Sequence, residues 1–93
     1  MSTPSAPTEE LIGSKLKKTQ FPVLSNNEVT LPNGFTSAVV TNDGDINITI
    51  TNTSGATYAL KPKEVMRWDH DDGYLAINVD SSGGGSGRIA YTM

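Results

Sequence analysis

From Gln20 onward the apolar residues recur at every second position, the period of a strand with one buried and one wet face. In "EVTL", Val29 and Leu31 share a face, and Pro32, Asn33 and Gly34 turn the chain. "TSAVVTN" and "DINITIT" flank Asp43-Gly44, a dipeptide favoured in two-residue hairpins because both positions tolerate positive φ. A hairpin is therefore predicted there, with Ile46, Ile48 and Ile50 buried and Asn47, Thr49 and Thr51 wet. Ser54-Gly55 turns the chain into "TYAL", which places Tyr58 and Leu60 on one face. Pro62 breaks the ladder before "KEVMRW", and Asp72-Gly73 predicts a tight return into "YLAINV", where Leu75, Ile77 and Val79 share a face. "RIAYTM" alternates Ile89, Tyr91 and Met93 with Arg88, Ala90 and Thr92.

Seven or eight short strands with closely spaced turn signals read as an all-β chain, a small antiparallel β-sandwich or barrel-like domain over residues 25–93. The glycine-rich "SSGGGSG" lies between two strand patterns. It lacks both the Lys-Ser/Thr of a P-loop and a following helix to hold a phosphate, so it predicts a mobile loop joining a final hairpin.

Residues 1–24 break this pattern and read as an extended N-terminal arm. "STPSAPTEE" is built of small residues, prolines and acids, which bury too little to offset the entropy of ordering. In "TEELIGSKLKKTQ" there is room for one short helix. Thr8 would cap it, Glu9 and Glu10 would lie in its positive first turn, and Lys15, Lys17 and Lys18 at its negative end. Only Leu11, Ile12 and Leu16 are apolar there and Gly13 interrupts them, so a partner surface is expected to decide its shape.

Composition narrows the function classes. At 93 residues the chain makes one domain at most, and 35% hydrophobic content points to a thin sandwich or to a protomer that completes its core by oligomerising. The absence of cysteine excludes disulfides, thiolate metal sites and thiol nucleophiles, and a single histidine excludes a His-pair zinc site within one chain. No apolar run approaches the ~20 residues of a membrane span. The first ten residues have neither a basic start nor an apolar stretch, so a soluble protein made in a cytosol is expected. A net charge of −3 argues against nucleic acid as main partner. The charge is also divided, with +1 on residues 1–24 and −4 on the rest.

The densest polar cluster is "DHDDG", Asp69 to Gly73. As a calcium loop it is out of register, since Gly73 falls at the fifth place and Asp80 at the twelfth; a solvated hairpin tip is the simpler reading. His70 among aspartates could serve as a general base, but no nucleophile and orienting group can be placed beside it, so no catalytic residue, enzymatic activity or cofactor is assigned. Trp68, Tyr58, Tyr74 and Tyr91 could stack on a sugar, with Asn47, Asn52, Asn78 and Asp72 as hydrogen-bonding groups. The same aromatics could equally be core and edges of a thin sandwich. Trp68, Asp69, His70, Asp72 and Tyr74 form the alternative ligand surface on this reading. The sequons at Asn47 and Asn52 matter only in a secreted eukaryotic protein.

A Pro/Ser/Thr-rich arm ahead of a β body resembles the small virion accessory proteins of tailed phages, especially capsid decoration (cement) proteins. The residues that carry this are the Val-Thr-Asn strand end, the alternating "INITIT", the "SGATYAL" turn and strand, the "LKPKE" turn and the closing "GRIAYT". The resemblance covers residues 28–93 as a style of sequence and has no invariant motif. It implies a protein made in the host cytoplasm that sits on the outer capsid surface. There it would clamp neighbouring major capsid subunits, commonly as a trimer, without membrane or nucleic acid as partner. Leu11, Ile12, Leu16 and Phe21 would then anchor the arm, and Lys15, Lys17 and Lys18 would pair with acidic capsid residues. The alternative is a carbohydrate- or receptor-binding module of a tail or head fibre.

Overall fold

The computed structural model describes residues 19–93. Nine strands run through them: β1 (Thr19–Gln20), β2 (Val23–Ser25), β3 (Glu28–Leu31), β4 (Phe35–Asn42), β5 (Ile48–Asn52), β6 (Thr57–Leu60), β7 (Val65–Tyr74), β8 (Ile77–Asp80) and β9 (Ser86–Thr92). They form two antiparallel sheets. Sheet A has the order β1-β9-β4-β7, with β2 also on β9; sheet B has the order β3-β8-β5-β6. The all-β sandwich read from the alternation is what the chain forms. Within residues 19–24, assigned above to the arm, β1 and most of β2 pair with β9 at the outer edge of sheet A.

One core joins the sheets. Leu24, Phe35, Ala38, Val40 and Ile89 from sheet A meet Leu31, Ile48, Ile50, Leu60, Ile77 and Val79 from sheet B, all buried. Apart from Phe35, which a register shift in β4 separates from Ala38, these are alternate positions of their strands, since period-two spacing puts every second side chain on the same face. Burying that face is the main stabilisation of the fold. Leu75 departs from the expected pattern: it precedes β8 and is exposed, while Ile77 and Val79 point inward.

The connections overturn three sequence expectations. Asp43-Gly44 does not close a hairpin, because β4 lies in sheet A between β9 and β7 while β5 lies in sheet B between β8 and β6. The crossing is held by Asn42, a fully buried polar residue at the end of β4. Its side-chain amide donates to the carbonyls of Ile46 (2.8 Å) and Leu60 (2.9 Å), and its Oδ1 accepts from the Gly44 N–H (3.0 Å). This carries the chain across to sheet B. Asp72-Gly73 is not a return either, since β7 continues to Tyr74 and β8 then pairs with β3 and β5 in the other sheet. The register of β4 against β7 jumps from Ser37↔Asp69 to Phe35↔Tyr74, so residues 70–73 bulge out of β7. Gly73 sits there at φ 85°, a conformation that favours glycine.

The glycine-rich segment likewise joins strands of different sheets, and it is tied down. Gly84 and Gly85 N–H donate to the Ser81 carbonyl, Asn26 N–H donates to Gly85 O, and buried Ser81 donates its N–H and hydroxyl to Asn27 O. Gly87 is required by packing, because a Cβ there would collide with the Thr41 carbonyl across the β4·β9 ladder.

Strand pairing is nested. β5 pairs with β6, β4 with β7, β3 with β8 and β2 with β9, and β4·β9 and β5·β8 complete the sheets. A long antiparallel ribbon rolled over on itself produces this order, which is that of a jelly roll.

Candidate functional site

Sheet A turns Ala38, Val40, Ile89, Met66 and Trp68 inward, so the residues between them point outward. The register aligns those outward residues in three cross-strand rows: Val23, Arg88, Thr41 and Val65; then Ala90, Val39 and Arg67; then Thr19, Thr92, Ser37 and Asp69. Residues on one face and directly opposite touch, so Val39 and Ala90 form an apolar pair on the inner strands, while Val23 and Val65 stand at the two ends of the Arg88 row.

Its edge is open. β1 and β2 pair with the two ends of β9 and leave Phe21-Pro22 between them, where Pro22 has no N–H to give to a ladder. Phe21 and Val23 are each 75% exposed and Val65 is 46% exposed. Together with Val39, Thr41, Arg88 and Ala90, Phe21 and Val23 line an open groove of about 600 Å³. Such a stretch of exposed apolar surface rimmed by charge is the usual mark of a docking site.

The charges at the rim are ordered. Arg88 grips Asp43 with two bonds, Nε to Oδ2 at 2.8 Å and a terminal nitrogen to Oδ1 at 3.0 Å. The bond from Arg88 holds the Asp43 carboxyl below its ordinary pKa and raises that of the guanidinium in return. Arg67 and Asp69, in successive rows, make no ion pair among the described residues.

Of the residues expected to form an arm, Leu11, Ile12, Lys15, Leu16, Lys17 and Lys18 lie outside the described residues. Phe21 is among the described residues and lines the groove. Sequence reading marked Phe21 but missed Val23, Val39, Val65 and Ala90. Their signal, an apolar residue at every other outward position of "AVV" and "RIAY", is indistinguishable from a core pattern until the second face is known.

The alternative ligand surface does not converge. Trp68 points inward, edge-to-face on Phe35 with ring centroids 6.3 Å apart. Tyr74 stacks on Phe35 at 5.1 Å, and its hydroxyl accepts the Asp69 N–H at 2.8 Å. His70 stands edge-on to Tyr74 at 6.0 Å, and its Nδ1 accepts the Asp72 N–H at 3.2 Å. These bonds hold the bulge of β7 in shape. Trp68 instead lines a smaller cleft of about 170 Å³ with Tyr58, Met66, Asn52 and Thr57. Asp69, His70, Asp72 and Tyr74 line neither this cleft nor the groove. Among the described residues no three His, Asp or Glu side chains are grouped to hold a metal ion.

The class that fold and site define is thus a jelly-roll domain with an exposed apolar sheet face. No protein-family model matches the chain, and neither a curated protein nor a solved structure matches it significantly.

Proposed function

We propose that this chain is a non-enzymatic virion protein that decorates a phage capsid by bridging major capsid subunits, with its N-terminal arm and the outer face of sheet A as the docking surface. The observation that carries this reading is the apolar groove at Phe21, Val23, Val39 and Ala90, placed where residues 1–18 enter the sandwich at Thr19. A rigid body with an arm at the rim of its sticky face gains contact area on a lattice, and many weak copies gain avidity. Jelly rolls are frequent among viral capsid domains and lectins, and the reading is compatible with that fold. The resemblance to cement proteins adds the expectation of a trimer on the outer shell.

Co-sedimentation with phage heads tests it. Deleting residues 1–18 should abolish binding while circular dichroism shows the sandwich intact, and undiminished occupancy of the heads by the truncated protein would overturn the proposal. The carbohydrate reading rests on a different observation, the cleft where Trp68 and Tyr58 meet Asn52 and Thr57. A tryptophan fluorescence titration against a glycan panel decides it, and an unchanged spectrum with every glycan removes it.

A further inference from the structure

Asn33 is the one asparagine of the chain that glycine follows. It lies on the exposed turn between β3 and β4, with Gly34 beside it at φ 95°. Without a side chain on Gly34, nothing screens its backbone nitrogen from the neighbouring amide carbon. We infer that Asn33 is a deamidation site held shut by the junction between β7 and β8, and that its conversion records opening of that junction irreversibly.

The chemistry needs only water. The Gly34 nitrogen loses its proton and bonds to Asn33 Cγ, the bond from Cγ to the side-chain nitrogen breaks, and that nitrogen leaves with the proton as ammonia. The succinimide so formed takes up one water at either carbonyl and one ring C–N bond breaks, leaving aspartate or isoaspartate. Either product adds one negative charge.

The fold prepares half of this reaction and blocks the other half. Asn33 Oδ1 accepts the Ala76 N–H at 2.8 Å, which places a donor where charge develops as Cγ is attacked. Gly34 N–H, however, donates to the Tyr74 carbonyl at 2.8 Å, so the attacking nitrogen keeps its proton while that bond lasts. A carbonyl oxygen is too weak a base to remove it. Tyr74 is in turn fixed by Phe35, its partner in the β4·β7 register, on which its ring stacks at 5.1 Å. Releasing Gly34 therefore requires the end of β7 to part from the start of β4, a local opening of the sandwich.

The product cannot close again as before. Isoaspartate runs the backbone through the former side chain and adds one carbon to the link from residue 33 to Gly34. That link has no slack, because Gly73 packs so tightly that a Cβ on it would stand 3.1 Å from Gly34 O and 3.2 Å from its C and Cα. The longer link moves Gly34 off the Tyr74 carbonyl. The inference concerns the chain's own chemistry and does not depend on the capsid reading.

The chain is incubated in mildly alkaline buffer, folded and in unfolding urea, while peptide mass mapping follows Asn33 and enzymatic carboxyl methylation detects isoaspartate. Conversion should be at least about tenfold slower in the folded chain, since only the locally open fraction reacts. Across urea concentrations below the unfolding transition, it should rise in step with hydrogen exchange of the Gly34 amide. Gly73→Ala, shown to be folded by circular dichroism, should convert faster than the parent, because the added methyl presses on the Gly34 backbone. The purified isoaspartate form, refolded, should have lost exchange protection at Gly34. Equal rates folded and unfolded, no conversion in either, or conversion that does not follow Gly34 exchange would each overturn the inference, and a Gly34 amide still protected in the isoaspartate form would overturn its irreversibility.

Discussion

Replacing Asn42 by leucine, a side chain of similar shape without polar atoms, tests the claim that one buried amide carries the chain from sheet A to sheet B. The substitution removes the donors to Ile46 O and Leu60 O and the acceptor for Gly44 N–H. Leaving a buried polar group unpaired costs about 1–3 kcal/mol. The bond to Leu60 O is buried, whereas the other two are partly buried and can recover water. The loss is partly offset by the apolar surface leucine adds, so a net destabilisation of about 3 kcal/mol is expected. A small domain has only about 5–15 kcal/mol in total.

Urea unfolding followed by Trp68 fluorescence measures it. With a slope of roughly 1–3 kcal/mol per molar urea, the midpoint should fall by about 1–3 M. The melting temperature should drop by roughly 12–24 °C. Asn42→Asp adds a sign test: it keeps the acceptor but aims a carboxylate at two carbonyl oxygens, which raises its folded pKa above the unfolded value. Its penalty is then full at neutral pH and shrinks as pH falls through that raised pKa, opposite to the behaviour of Asp43. A leucine variant within about 0.5 kcal/mol of the parent, or an aspartate variant with no recovery in acid, would refute the role given to Asn42.

Gly87→Ala should destabilise by about 1–3 kcal/mol, because the added methyl meets backbone, whereas Gly83→Ala meets only the end of Ile46 and should stay near neutral; paired thermal melts compare them. The Asp43 carboxyl, bonded by Arg88, has a folded pKa below its unfolded one, so its contribution is present at neutral pH and is lost as pH falls through the lowered value. Asp43→Asn should therefore flatten the acid limb of the stability curve, and an unchanged limb would remove the pair from the account. Tyr74→Phe deletes the hydroxyl that accepts the Asp69 N–H and should cost about 0.5–1.5 kcal/mol, with faster amide exchange at Asp69 measured by NMR.

Much of this molecule is written in local pattern. The alternation of Ile48 and Ile50 with Thr49 and Thr51 made β5, and the hairpin from β5 to β6 at Ser54-Gly55 formed as read, with Gly55 at φ 87°. Turn chemistry is local, and where it joins neighbours in one sheet it suffices. Asp43-Gly44 has the same local credentials and a different outcome, because the two long edges of β4 are occupied by β9 and β7. Which strands become neighbours depends on contacts between residues far apart in sequence, such as Asn42 with Leu60 and Asn27 with Ser81.

The candidate site divides in the same way. Phe21 and the lysines of residues 15–18 stood out as unpatterned apolar and basic groups, and Trp68 as the single tryptophan. Only the assembled sheet revealed that Val23, Val39, Val65 and Ala90 share an outward face, and that Trp68 and Tyr74 turn to Phe35 instead of joining His70 at a surface. Period-two spacing tells which residues share a face of one strand, and that much the sequence determined alone. Which face meets the second sheet, which strands lie side by side, and hence which apolar residues remain for a partner, were decided by the nested long-range pairing that buries one core between two sheets.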